Sequence, residues 1–362
     1  MDDSAIRPTP TFRIETAGGG SRAAAAAIGV ILLVLALLPA FAERNLIQDL
    51  IFLFYMLALA QCWNLLAGYA GLISVGQQAF VGLGGYLLFA LTLLAGVNPL
   101  TAVPLAGLSS ALFALPTALI VFRLRGAYFA IGTWVVAEVY RLVFAQFKPL
   151  GGGTGTSLTP SVTSGVLGIE WVKTLLDLRT PAARDIISYW LALALMAGTL
   201  ALVYLVLRSR RGLALGAIRD HEGASAGLGV DIYRIKLAVY VATAAMTGMI
   251  GALIYLQKAR ISPDAAFSVL DWTAYVIFIT VIGGIGTMEG PVIGAIIFYL
   301  MQRYLADFGA SYLILLGTLG ILVMLFAPRG LWGLVSERYG LTLFPTRRRL
   351  VIDPKGEMRS KS

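Results

Sequence analysis

The sequence predicts an all-α fold, a polytopic helical bundle with about ten transmembrane helices. The 362 residues are 58% hydrophobic and only 13% charged, whereas soluble domains carry about 25% charge. Apolar stretches close to the roughly 20 residues that a helix needs to cross a bilayer recur along the chain. The alternating ten-residue segments typical of a transmembrane β-barrel are absent. These observations together indicate a helical membrane protein.

The elements follow in order from hydropathy. A polar tail, residues 1–22, carries the run Gly18-Gly19-Gly20 and is expected to be disordered. The transmembrane domain follows at 23–328, and a basic tail occupies 329–362. The expected spans are 23–42, 47–67, 77–96, 101–122, 127–147, 188–207, 236–256, 270–287, 291–306 and 311–327.

The basic residues orient these spans. If the N-terminus is cytoplasmic, 19 of the 28 lysines and arginines fall on the cytoplasmic side, in both tails and in the loops around Arg123 and at 208–236. Such a bias predicts cytoplasmic N- and C-termini. Lys258 and Arg260 are exceptions, in a short outer loop. Because the basic residues cluster in loops and tails, the net charge of +9 does not indicate nucleic-acid binding.

The longest outer segment is the loop 148–187, which starts with the glycine-rich run 151–155. A loop of this size suits a cap over the pore or a contact with a soluble partner. The alternative is a flexible connector, which its glycine-rich start favours.

A basic segment, residues 208–230, lies between two apolar stretches. Its apolar and polar positions indicate a short amphipathic helix along the membrane surface, which Gly227 and Gly229 end. A docked partner would explain such a helix, whereas the alternative is a solvated basic loop that only sets topology. The apolar positions are Leu213, Ala217, Ile218, Ala224 and Leu228, and the polar ones are Arg211, Arg219, Asp220 and Glu222.

Residues that could perform catalysis are scarce. The single cysteine, Cys62, and the single histidine, His221, argue against a His/Cys metal site. Neither a Gly-x-Ser-x-Gly nor a His-Glu-x-x-His motif occurs, and there is no Walker A sequence with which to hydrolyse ATP. Glu138 and Arg141, three residues apart in the fifth span, can pair on one helical face. They should face the protein interior or a water-filled path, as a structural ion pair or as a substrate contact.

Two glycine-rich interruptions, at 68–85 and 283–294, each join two spans. Small residues there permit either close helix packing or a broken, re-entrant helix that lines a cavity. Neutral hydrogen-bonding side chains beside the first interruption suit a path for a polar solute. The candidate pathway residues are Asn64, Gly71, Ser74, Gln77, Gln78, Glu138, Gly284 and Gly286.

Four stretches in order resemble the inner-membrane permeases of branched-chain amino acid ABC importers, of the LivM type. These stretches are residues 64–76, 123–133, 217–230 and 283–291. The resemblance extends from about residue 50 to 330, which covers nearly the whole membrane portion.

The resemblance implies an ABC importer permease fold in a bacterial inner membrane, and no catalytic residue or bound cofactor in this chain. Its partners would be a second, LivH-like permease, two ATPase subunits that use ATP, and a periplasmic solute-binding protein. Transport would proceed by alternating access, for branched-chain or related amino acids, although relatives also move urea, amides and aromatic acids. The segment 213–230 would be the coupling helix, with contacts at Leu213, Ile218, Arg219, Asp220, Glu222 and Gly229.

Rival functions of other classes are an ion-coupled secondary transporter and a small-solute channel. A secondary transporter needs ion-binding groups near the bilayer midplane and no ATPase partner. Ionophore sensitivity of uptake separates it from an ABC importer, which vanadate or ATP depletion inhibits.

Overall fold

The computed structural model describes residues 12–15, 19–177, 179–305, 308–339, 344 and 349–352. Within these ranges the protein is a bundle of helices with two very short sheets. The helices are α1 Gly19–Leu37, α2 Arg44–Asn64, α3 Gln77–Leu93, α4 Pro99–Val121, α5 Ala127–Gln146, α6 Pro160–Ser164, α7 Ile169–Leu176, α8 Thr180–Arg208, α9 Arg210–Asp220, α10 Glu222–Gly227, α11 Ile232–Lys258, α12 Pro263–Ala266, α13 Tyr275–Gly283, α14 Gly290–Leu305, α15 Ala310–Phe326 and α16 Gly330–Tyr339. The strands are β1 Phe12–Glu15, β2 Thr156–Ser157, β3 Arg260–Ile261 and β4 Arg349–Ile352.

The helical membrane fold expected from the sequence is confirmed, and each expected span contains a helix. Seven described helical segments are long and apolar enough to cross a membrane, and Ala26–Ala40 and Gln77–Leu93 are shorter apolar helices. The count of ten is therefore not confirmed. The segments that qualify are Arg44–Tyr69, Pro99–Val121, Ala127–Gln146, Thr180–Arg208, Ile232–Lys258, Pro263–Gly283 and Leu313–Arg338.

The centre of the bundle is built by α11 packing against α3 and α4. A Cβ on Gly84 would lie 2.0 Å from the carbonyl oxygen of Gly248, and one on Gly251 would lie 2.2 Å from that of Val81. Real Cβ atoms essentially never come that close, so only glycine permits these backbones to touch. The glycines of the first interruption that lie in α3 therefore serve close helix packing.

The glycine-rich start of the 148–187 loop is not the flexible connector that its composition favours. Gly151 and Gly155 have φ values of +82° and +75°, and a Cβ on Gly155 would lie 1.9 Å from the carbonyl oxygen of Ile261. The adjoining β2 pairs antiparallel with β3, with Thr156 opposite Ile261. Glycine here allows a close backbone approach that holds the loop against the end of α11.

The two tails meet in the second sheet, where β1 pairs antiparallel with β4 and Phe12 lies opposite Ile352. In addition, α1 begins at Gly19. The structure thus differs at these residues from the expectation that 1–22 is disordered. The cause is a strand partner more than 300 residues away, which local composition does not reveal.

Candidate coupling and translocation site

The first glycine-rich interruption is a break between α2 and α3. A π-helical turn, Leu65–Tyr69, follows α2, and helix resumes only at Gln77. Gly71, at φ +69°, allows the chain to turn there. The intervening backbone is satisfied by hydrogen bonds, because Trp63 Nε1 donates to the Ser74 carbonyl at 2.8 Å and the Val75 N–H donates to Thr133 Oγ1 at 3.0 Å. A non-helical segment whose backbone groups are bonded to the protein in this way is tolerated at membrane depth.

The polar side chains at the start of α3 point into the protein. Gln77 Nε2 donates to the Leu59 carbonyl at 2.9 Å, and Thr273 Oγ1 donates to Gln78 Oε1. The two glutamines are only 5% and 1% exposed. Ser74, which is 4% exposed, accepts a hydrogen bond at Oγ from the Gly76 N–H at 3.1 Å. In this structure these residues hold the break together, and their place on a pathway stays a prediction.

The second interruption is a loop between α13 and α14. Gly284 and Gly286 have φ values of +133° and +76°, in the region that favours glycine. The fully buried Asn64 binds this loop from α2, because its Nδ2 donates to the Thr287 carbonyl and its Oδ1 accepts from the Gly286 N–H, both at 2.8 Å. Gln61 Nε2 adds a hydrogen bond to the Met288 carbonyl at 2.6 Å.

Both interruptions therefore meet at one place. A Cβ on Gly68 would lie 2.5 Å from Asn64 Oδ1 and 2.6 Å from the Gly286 nitrogen. We call the four residues Asn64, Gly68, Gly286 and Thr287 the glycine clasp. The sequence shows both interruptions but gives no direct sign of their contact. The four-residue spacing of Asn64 and Gly68 on one helical face is the signal that could have indicated it.

The segment predicted to be one surface helix is two helices. α9 begins after Ser209, whose Oγ accepts a hydrogen bond from the Arg211 N–H at 3.2 Å. His221, with φ −152° and ψ 97°, interrupts the helix because extended backbone cannot continue the helical hydrogen bonds. α10 ends at Gly227, and Gly229 follows at φ +80°, as its residue type predicts.

The apolar side chains of this segment divide into two sets. Leu215 and Ile218 are buried, at 0% and 4% exposure, and anchor α9 to the bundle. Leu213 and Leu228 are 54% and 83% exposed. One face of α9 is therefore packed against the bundle, while the segment exposes apolar side chains on its other side.

The polar side chains of the segment contact the chain itself. Arg219 Nη1 donates to the Gly68 carbonyl at 3.1 Å, and a Cβ on Gly286 would lie 3.0 Å from that same nitrogen. Glu222 Oε1 pairs with Lys236 Nζ at 3.0 Å. Asp220 is the last residue of α9, and its side chain lies outside the described part of the chain. Arg219 thus joins the surface segment to the glycine clasp.

The predicted pairing of Glu138 with Arg141 is confirmed. Arg141 Nε donates to both carboxylate oxygens of Glu138, at 2.9 and 3.0 Å. A third member, which the local sequence does not predict, is Asp264 at the start of α12, whose Oδ1 accepts a hydrogen bond from Arg141 Nη1 at 2.7 Å. The side chains of Glu138, Arg141 and Asp264 are 45%, 28% and 83% exposed, so the group lies on the outside of this chain.

The site offers hydrogen-bonding and ionic groups. Across the residues that the structure describes, no three histidine, cysteine, aspartate or glutamate side chains cluster as metal ligands. The arrangement joins a surface segment to the broken helix through the hydrogen bond of Arg219 to the Gly68 carbonyl.

The chain is similar in sequence to known proteins that all belong to one family. Residues 45–327 match the family described as "Branched-chain amino acid transport system / permease component". The chain is 30% identical over 281 residues to the "High-affinity branched-chain amino acid transport system permease protein LivM" of Escherichia coli (strain K12), a match covering 74% of this chain and 65% of that protein. The protein of the same name from Salmonella typhimurium is equally similar.

A more distant relative is the "Probable branched-chain amino acid transport permease protein LivM" of Methanocaldococcus jannaschii. It is 25% identical over 241 residues, which cover 61% of this chain and 63% of that protein. The chain therefore spans less than two thirds of the length of these curated relatives. No solved structure matches the chain.

Proposed function

Since the chain belongs to the family of branched-chain amino acid transport system permease components, a family of transport permeases and not of enzymes, we propose that it is a transmembrane subunit of an ATP-driven importer. Its partners are a second permease of the LivH kind, two ATPase subunits and a periplasmic solute-binding protein. ATP is hydrolysed by the ATPase subunits, and this chain binds no cofactor. The chain lies in a bacterial inner membrane with both termini in the cytoplasm.

The observation that supports this proposal most directly is the α9–α10 segment. Leu213 and Leu228 remain exposed although the segment is anchored by Leu215 and Ile218. The resemblance to importer permeases implies a coupling helix at this segment, and these two leucines are the large apolar side chains that it exposes. We assign this surface to the ATPase subunit, with Gly229 ending the segment.

The contact of Arg219 with the Gly68 carbonyl supplies a route for movement. When the ATPase dimer closes on ATP, it displaces α9. Arg219 passes that displacement to the glycine clasp, from which both the α2–α3 break and the α13–α14 loop start. Shifts at such broken helices change which end of the substrate path is open, which is alternating access.

Amino acids with branched side chains are the proposed substrates, because the relatives are named as branched-chain amino acid transport permeases. An ion-coupled carrier fits less well. Of the residues whose burial the structure describes, Asp185 and Glu289 are the acidic ones that are buried. Asp185 lies near the first turn of α8 and pairs with Arg44. It is therefore far from the midplane position that a coupling-ion site requires.

The proposal is tested by purifying the tagged chain from gently solubilised native membranes and identifying its partners by mass spectrometry. Recovery of a second permease and of ATPases with a Walker A motif is the expected result. Leu213→Asp should lower ATPase recovery at least tenfold without reducing that of the second permease. Leu175→Asp, a change at a leucine 59% exposed on α7, is the matched control and should recover both. A chain that purifies alone and still transports in liposomes would overturn the proposal.

A further inference from the structure

A cavity of about 370 Å³ lies between the short helix α6 and the first turns of α8. Two prolines, four residues with hydroxyl groups and one arginine line it, and none of these described lining residues carries a carboxylate. The cavity is large enough for a small ligand, since binding pockets begin at roughly 300 Å³. The hydroxyl-bearing residues are Ser161, Thr163, Ser164 and Thr180, and the arginine is Arg184.

Arg184 brings to this cavity a hydrogen-bond donor that the described chain does not use. Its Nε is buried and has no hydrogen-bond partner among the residues that the structure describes. The carboxylate next to it in sequence, Asp185, is bound to Arg44 Nε at 2.6 Å and to Gln48 Nε2 at 3.1 Å. A guanidinium with a donor left over in a cavity is complementary to an anionic oxygen, to which it binds more strongly than to a neutral one.

The hydroxyl groups of the cavity leave acceptors for a ligand. Thr163 Oγ1 donates to the Pro160 carbonyl at 3.1 Å. Ser164 Oγ donates to the Ser161 carbonyl at 3.3 Å. Each of these two oxygens has donated its proton and keeps its lone pairs, so it can accept a hydrogen bond from a hydroxyl group. An ammonium group would instead meet the positive charge of Arg184 with no lining carboxylate to offset the repulsion.

The cavity lies at the level of lipid headgroups. α8 is a candidate membrane span of 29 residues, which measures about 43 Å at 1.5 Å per residue. That length covers the hydrocarbon core of about 30 Å and the headgroup layers on both sides. Arg184 is four residues after the first residue of α8, about 6 Å along its axis, and therefore falls in a headgroup layer. Trp171, 62% exposed on the neighbouring α7, belongs to a residue type that is enriched there.

We propose that this cavity binds the headgroup of an anionic phospholipid whose phosphate carries a polyol, such as phosphatidylglycerol. The phosphate accepts hydrogen bonds from Arg184 and Thr180. The glycerol hydroxyls donate to Thr163 and Ser164. A choline headgroup offers the same phosphate but adds a cation that the lining does not match. The site is independent of the proposed function, because the cavity lies at the opposite end of α8 from the α9–α10 segment.

The site is tested on the tagged, delipidated chain, purified with the subunits that accompany it. Native mass spectrometry measures the binding of added dioleoylphosphatidylglycerol. Arg184→Gln should weaken binding at least tenfold, because it removes a charge-assisted hydrogen bond, and Arg184→Lys should restore most of it. Arg179→Gln is the matched control, since Arg179 is exposed, lies five residues earlier and does not line the cavity. Equal binding by Arg184→Gln and Arg179→Gln would overturn the site.

A second variant keeps the test decisive if Arg184→Gln does not fold, as judged by its melting temperature without lipid. Thr180→Val removes one hydroxyl of the lining at nearly constant volume and should weaken binding of the same lipid by roughly threefold. Binding unchanged by Thr180→Val, with Arg184→Lys no better than an unfolded variant, would count against the cavity.

Competitors identify the source of the bound group. Dioleoylphosphatidylcholine should bind at least tenfold more weakly than dioleoylphosphatidylglycerol, and equal binding of both would overturn the charge selectivity. Millimolar inorganic phosphate should not displace the lipid. Displacement by phosphate would indicate a site for a free anion and would overturn the lipid assignment. If Arg184→Gln lost a soluble protein partner and bound lipid normally, the cavity would belong to a protein carboxylate and the proposal would be wrong.

Discussion

Arg219 provides the sharpest test of how the surface segment communicates with the membrane domain. Its Nη1 donates to the Gly68 carbonyl at 3.1 Å, across 151 residues of sequence. Replacement by alanine removes this charge-assisted hydrogen bond. Such bonds contribute about 1.5–3 kcal/mol, and partial exposure to water places this one nearer about 1–2 kcal/mol. If the bond transmits the ATPase movement, that loss corresponds to roughly a five- to thirty-fold fall in coupling.

The assay measures ATP hydrolysis and leucine uptake together, in liposomes that contain the full complex. Arg219→Ala should lower the number of solutes moved per ATP while membrane insertion and ATPase binding persist. Arg219→Glu should be worse, because a carboxylate would face the Gly68 carbonyl oxygen. Arg211→Ala, at an exposed arginine in the same helix, is the matched control. If Arg219→Ala moved as many solutes per ATP as the Arg211→Ala control does, the reasoning would be refuted.

Other predictions concern the glycine clasp and the helix core. Asn64→Ala removes two hydrogen bonds to buried backbone and should lower the stability of the complex by about 2–4 kcal/mol, measured as denaturant resistance in detergent. Gly84→Ala should destabilise strongly because its Cβ would lie 2.0 Å from the Gly248 carbonyl oxygen. Gly198→Ala, a helical glycine with no atom within 4 Å of an added Cβ, should instead be neutral or stabilising by about 0.5–1 kcal/mol. A lower melting temperature for Gly198→Ala than for Gly84→Ala would contradict that steric argument.

Hydropathy and residue spacing predicted much of this molecule. The helices at the expected spans and the pairing of Glu138 with Arg141 follow from local sequence, since both depend on neighbours within a few residues. The end of the surface segment near Gly227 also follows from a local conformational preference. The family was recognisable because four short stretches occur in order, and the match over residues 45–327 confirms it.

Local sequence did not predict the partners of the polar groups. Gln77 and Gln78, whose place on a polar path stays a prediction, bind backbone and side-chain groups inside the protein. Arg219 and Glu222, whose contacts with a partner also stay a prediction, bind Gly68 and Lys236 within the chain. A buried polar group must find a hydrogen-bonding partner, but packing determines which group is near enough.

The sequence by itself determined the class of the protein, its helical segments and its family, because these depend on hydrophobicity and on short motifs. Only the tertiary structure decided that the two glycine-rich interruptions meet at Asn64, and that Arg219 reaches their junction. It also decided that Asp264 joins Glu138 and Arg141. These contacts join residues more than 100 positions apart, and their distances are set by helix packing and not by any local preference.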